Sequence, residues 1–160
     1  MTIYAAIGAS TTTAEASTGA APIAGPRVVL PFGFANIAAG DNATPASSTP
    51  VQLQWCAVST LSTANFVANR SGSIVGIGGH LSVAAAGSTA IIGVYKNGTI
   101  VNAAAITTIA AAGTENYATF AAGDYTFVPG DNLDIRIRTG SGWSATTADI
   151  AAYIELELTS

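Results

Sequence analysis

An all-β sandwich is the fold class this sequence predicts, and three features carry the prediction. The stretch Tyr125-Thr-Phe-Val-Pro-Gly-Asp-Asn-Leu-Asp-Ile-Arg-Ile-Arg138 reads as a strand, a tight turn and a second strand. Pro129 presets φ for the first central position of a turn, and Gly130 accepts the positive φ that a type II turn needs next. Beyond the turn Leu133, Ile135 and Ile137 alternate with Asp134, Arg136 and Arg138, the period of a sheet with one dry and one wet face. Ile91 to Val101 is the second feature, a hairpin around Asn97-Gly98, the pair best suited to the two positive φ values of a type I′ turn. The third is the whole chain, in which eight or nine short runs are separated by turn signals and no amphipathic helix is evident.

In chain order, Met1 to Pro26 is Ala, Ser, Thr and Gly with apolar beads at Ile3, Tyr4, Ile7 and Ile23. Such a segment buries too little area to fold alone. It reads either as a flexible leader or as an extended N-terminal arm that docks on a neighbour through those beads, with Gly25-Pro26 as the hinge into a body spanning residues 27–160. Arg27 to Phe34 is a first strand, demoted towards an edge by Pro31. Ala38 to Pro50 is a loop. Val51 to Val58 alternates as one half-buried strand, which assigns Trp55 to the core. Asn65 to Asn69 is a shorter strand. From Ser73 to Val83 the apolar face is Val75, Ile77, Leu81 and Val83, with Gly76, Gly78 and Gly79 leaving room for another backbone or a bend. In the hairpin Tyr95 sits opposite Ile100 and Val94 opposite Val101. Ala103 to Ala112 is rich in alanine, yet its β-branched centre and uncapped start favour a strand. Asn116 to Phe120 is another strand. The last, Asp149 to Leu158, places Ile150, Ala152, Ile154, Leu156 and Leu158 on one face and Tyr153, Glu155 and Glu157 on the other. These lengths suit a jelly roll of about eight antiparallel strands.

Composition narrows the function. Only 9% of residues are charged while 49% are hydrophobic, against roughly 25% charged in ordinary globular domains. Small residues account for part of that imbalance, and the remainder implies surface hidden in an assembly. The net charge of −4 with five scattered bases offers no nucleic-acid footprint. No positive n-region opens the chain, and no uncharged stretch approaches the roughly 20 apolar residues of a membrane span, so membrane insertion is not expected. Cys56 stands alone, which excludes an internal disulfide and a cysteine zinc site and fits assembly in a reducing cytoplasm.

Candidate chemistry is sparse. His80 is the sole histidine, its parity turns it away from the Leu81 face, and no serine sits in a nucleophile elbow, so a structural role outweighs a catalytic one. Asp124, Asp131, Asp134 and Asp149 match no EF-hand spacing; the first two follow glycine in turns and the others take outward strand positions. No metal, cofactor or enzymatic activity is therefore expected. Trp143, in a Gly and Ser loop, reads as an exposed contact for a sugar or partner, or as a tryptophan folded back on its own sheet. Tyr153, among the outward residues of the last strand, is the other candidate exposed contact.

Val94-Tyr-Lys-Asn-Gly-Thr99, Gly123-Asp-Tyr-Thr-Phe127, Gly130-Asp-Asn-Leu-Asp-Ile135 and Ala152-Tyr-Ile-Glu-Leu-Glu-Leu158 together resemble the trimeric jelly-roll modules related to complement-type and tumour-necrosis-factor-like heads. The resemblance spans about Ser71 to Leu158, with no motif in the N-terminal half. Similar modules serve bacteriophages as capsid decoration (cement) proteins and as fibre tips. The resemblance implies a homotrimer on the virion exterior that binds the major capsid protein, with Ile3, Tyr4, Ile7 and Ile23 as a docking arm. The alternative it allows is a fibre tip that binds a host surface receptor through loops such as Ala38 to Thr49 or Gly140 to Ser144. The absence of a collagen-like or coiled-coil shaft favours decoration.

Overall fold

The computed structural model describes residues 25–37, 51–55, 65–140, 142–145 and 148–159. Among them there is no helix, and therefore none long and apolar enough to cross a membrane. The strands are β1 (Arg27–Ile37), β2 (Val51–Gln52), β3 (Gln54–Trp55), β4 (Phe66–Val67), β5 (Gly72–Leu81), β6 (Ala90–Lys96), β7 (Thr99–Ile100), β8 (Ile106–Ile109), β9 (Glu115–Thr119), β10 (Thr126–Phe127), β11 (Asn132–Thr139) and β12 (Ala148–Leu158). They form two antiparallel sheets packed face to face, a β-sandwich. The first runs β10-β5-β12-β1-β3, with β9 also on β5; the second runs β2-β11-β6-β7, with β4 on β11 and β8 on β6.

The core is what alternation demands. Leu30 and Phe32 from β1, Ile77 and Leu81 from β5, and Ile150, Ala152, Ile154 and Leu156 from β12 meet Ile92, Val94, Leu133, Ile135 and Ile137 of the second sheet. Each fully buried aliphatic chain of this kind contributes about 1.5–3 kcal/mol. Gly79 faces the second sheet, where an added Cβ would lie 2.3 Å from Ile92 Cδ1. A side chain there would displace the tip of Ile92.

Turn chemistry behaves as the residues require. Asn97 (φ 53°) and Gly98 (φ 81°) make the hairpin, and Tyr95 pairs with Ile100. Val101 N–H donates to Val94 O at 3.0 Å, which continues that register. At Pro129-Gly130 the Asp131 N–H donates to Val128 O at 3.1 Å, and Gly130 has φ 94°. Ile106–Ile109 is a strand despite its alanine-rich flanks.

Two expectations, the strand from Val51 to Val58 and the apolar face of β5, need correction. Val51 to Val58 is not one strand: β2 pairs with β11 in the second sheet and β3 with β1 in the first, so the chain changes sheets at the buried Leu53. As Pro31 implied, β1 lies towards an edge, for β3 beyond it covers only Phe32 and Gly33. In β5 the register jumps from Gly76↔Glu155 to Ile74↔Leu156, so Val75 is the extra residue of a bulge and Ile74 joins Ile77 in the core; Val83 lies beyond the strand and is exposed. At Gly25-Pro26, the expected junction of arm and body, Leu158 N–H donates to Pro26 O at 3.0 Å. The rest of the proposed arm, including Ile3, Tyr4, Ile7 and Ile23, lies outside the described residues, as do the Ala38 to Thr49 loop and the side chain of Trp55.

Candidate contact surface

The outer face of the first sheet is where exposed apolar groups and a concavity coincide. Cross-strand neighbours share a face, so the registers place Pro31, Tyr153, Gly78 and Tyr117 in one row across β1, β12, β5 and β9. On one side of it lies Val29, Glu155, Gly76 and Thr119; on the other, Gly33, Ala151, His80 and Glu115. Tyr117 is 70% exposed, Val29 58% and Tyr153 36%. Side chains are large on the outer strands and missing at the glycines of β5, which leaves a trough of about 580 Å³ between Tyr153 and Tyr117, walled at one end by His80, Glu115 and Ala151.

Tyr153 leans into this trough. A Cβ on Gly78 would come within 2.5 Å of its ring carbons, so the ring rests on the bare backbone of the neighbouring strand. Arg27 closes the far end of the face, with Nη1 3.0 Å from Glu155 and Nη2 3.5 Å from Glu157. One guanidinium between two carboxylates leaves that end with a single uncompensated negative charge. Apart from His80, Glu115 and Thr119 the rest of the face is aromatic, aliphatic or bare backbone, suited to burial against another protein.

The other sequence candidates fall in different places. Trp143 is not an exposed contact: it is 5% exposed within the core, and its Nε1–H donates to Ile37 O at 3.3 Å. The indole finds a carbonyl at the end of β1, which satisfies its one polar atom while the ring fills space between the sheets. Tyr153 is exposed, as its outward parity implied. His80 is exposed on the outer face, and its imidazole forms no hydrogen bond among the described residues.

The four aspartates do not converge. No group of three or more His, Cys, Asp or Glu side chains among the described residues is disposed to hold a metal ion. Asp131 braces two turns, accepting from Val128 N–H at 2.9 Å and from Asn97 Nδ2 at 2.6 Å, with Lys96 Nζ 3.9 Å away. The backbone hydrogen bond from Val128 above all, then Asn97, holds its carboxyl below the usual range. Asp134 keeps the outward parity but not the exposure. It is fully buried under Arg136, whose Nε donates to it at 2.9 Å.

Sequence reasoning missed the trough. Its aromatic wall residue Tyr117 stood inside a strand read without regard to face, and pairing of β9 with β5 is what sets it opposite Tyr153. The chain matches no protein-family model, and a search of curated proteins finds no match.

Proposed function

We propose that this protein is a bacteriophage capsid decoration (cement) protein, a jelly roll that assembles as a homotrimer and clamps neighbouring subunits of the major capsid protein. The observation that carries the reading is the outer face of the first sheet: Tyr117 and Tyr153 flank a trough and Val29 and Pro31 stand exposed on the same face, on a chain with only 9% charged residues. Faces of this kind gain by burial against a copy or a shell. The jelly-roll reading draws support from the strand order. The first long strand neighbours the last, and β6 in the other sheet neighbours the penultimate strand, β11. That nesting suits a chain wound as a double Greek key.

The mechanism is binding alone, on the outside of the head and after assembly in the host cytoplasm; it needs no cofactor, nucleic-acid contact or membrane insertion. Many copies multiply a modest joint into resistance against internal pressure. The second reading, a fibre tip gripping a host receptor, loses the loop tryptophan it relied on, because Trp143 is inside the fold.

Sedimentation of the purified chain tests the assembly. A trimer is expected that persists at about 0.5 M salt, since few charges contribute, and that falls to monomers when Val29→Asp and Tyr117→Asp are combined. Deleting residues 1–24 leaves the trimer and abolishes co-sedimentation with capsids. A soluble monomer that ignores capsids overturns the proposal.

A further inference from the structure

The outer face of the second sheet carries a separate concavity of about 290 Å³, and its chemistry differs from that of the trough. The registers set Arg138 beside Ile91, Arg136 beside Gly93 and Ile106, and Asp134 beside Tyr95 and Ile100. Gly93 forms the floor: a Cβ there would stand 3.4 Å from both Ile100 Cδ1 and Ile106 Cγ2. Arg136 is already committed. Its Nε holds buried Asp134, and its guanidinium stacks over the Tyr95 ring at 4.3 Å. Arg138 is not committed, for it is half-buried at the rim and has neither a hydrogen bond nor an ion pair among the described residues. One carboxylate against two guanidiniums leaves this site with a surplus positive charge on a chain of net charge −4.

We propose that this concavity binds a carboxylate carried on an apolar body about the size of one amino-acid residue, with Arg138 gripping the carboxylate and Ile91, Ile100 and Ile106 enclosing the body. A half-buried guanidinium has lost part of its hydration and presents a planar fork matched to two carboxylate oxygens. Arg136, pinned by Asp134 and Tyr95, adds positive field without moving. The volume lies at the lower end of ligand pockets, room for one such body at a time. Either a free small acid or the apolar C-terminal residue of a peptide supplies this chemistry.

Nuclear magnetic resonance titration of the full chain with N-acetylleucine and with N-acetylleucinamide separates charge from shape. The acid is expected to shift the amides of Gly93, Tyr95 and Ile106 and to bind at least about tenfold tighter than the amide. Arg138→Gln removes that preference, and Arg138→Lys keeps part of it. Equal binding of acid and amide, or no shift with the acid up to about 50 mM, overturns the proposal, and both outcomes are read on the unaltered chain even if Arg138→Gln fails to fold. A pentapeptide ending in leucine with a free carboxylate distinguishes the two sources. Tighter binding than the acid assigns the site to a chain terminus, and equal or weaker binding assigns it to a free acid.

Discussion

Two aspartates three residues apart illustrate how differently one side chain is used. Asp131 sits at a turn where Val128 and Asn97 donate to its ionised form, so its folded pKa is depressed. The stability this contributes is present above the unfolded value near 4 and is lost as pH falls through the lower folded value. Asp131→Asn is therefore expected to flatten the acid limb of a melting-temperature profile below about pH 4, with the rest of the curve keeping its shape. Asp134 is buried and depends on Arg136. Arg136→Met strands that carboxylate and is expected to cost about 3–5 kcal/mol in denaturant unfolding. The double variant with Asp134→Leu recovers most of the loss, because replacing a buried pair by apolar groups is far cheaper than breaking it. A double variant no better than Arg136→Met alone would show that the arginine acts through Tyr95 instead.

At the scale of elements, what could be read from sequence divides by the range of the interaction. The Asn97-Gly98 hairpin, its register and the Pro129-Gly130 turn follow from local backbone preferences, and each was legible. Alternation assigned the core faces of β11 and β12 for the same reason. The bulge at Val75 was not legible, because it is set by the partner β12 and breaks the parity that sequence reading relies on. Nor was the change of sheet at Leu53, where an unbroken alternation hides a switch of hydrogen-bonding partner. The trough was missed because it depends on contacts across strands distant in the chain, and contacts of the same range decide between the exposed and the folded-back reading of Trp143. Gly79 lies between these cases: the need for space was visible, but its neighbour Ile92 was not. Gly79→Val is expected to cost about 1–3 kcal/mol by overpacking, and Ile92→Ala in the same chain offsets part of that cost. Purely additive losses in a double-mutant cycle would count against direct contact between the layers.

For the molecule as a whole, each sheet has an inner face that holds the fold together and an outer face that no other described strand covers. The first sheet turns outward a broad, weakly charged surface; the second turns outward a small cationic one. These are different chemistries on opposite sides of one sandwich, so the association we propose for one face does not occlude the ligand we propose for the other.

Pro26 and Leu158 are hydrogen-bonded neighbours, and from that point β1 and β12 run alongside each other for nine paired positions. A load applied between these two points peels the ladder one rung at a time, as a zip opens. Applied instead between Pro26 and Ala148, at opposite ends of the same ladder, it must shear the rungs together. Single-molecule pulling should thus find a lower rupture force for the first geometry than for the second. A tether leaving the body before Gly25 would hold firmly when tugged along the strand and let go readily when tugged against the tail.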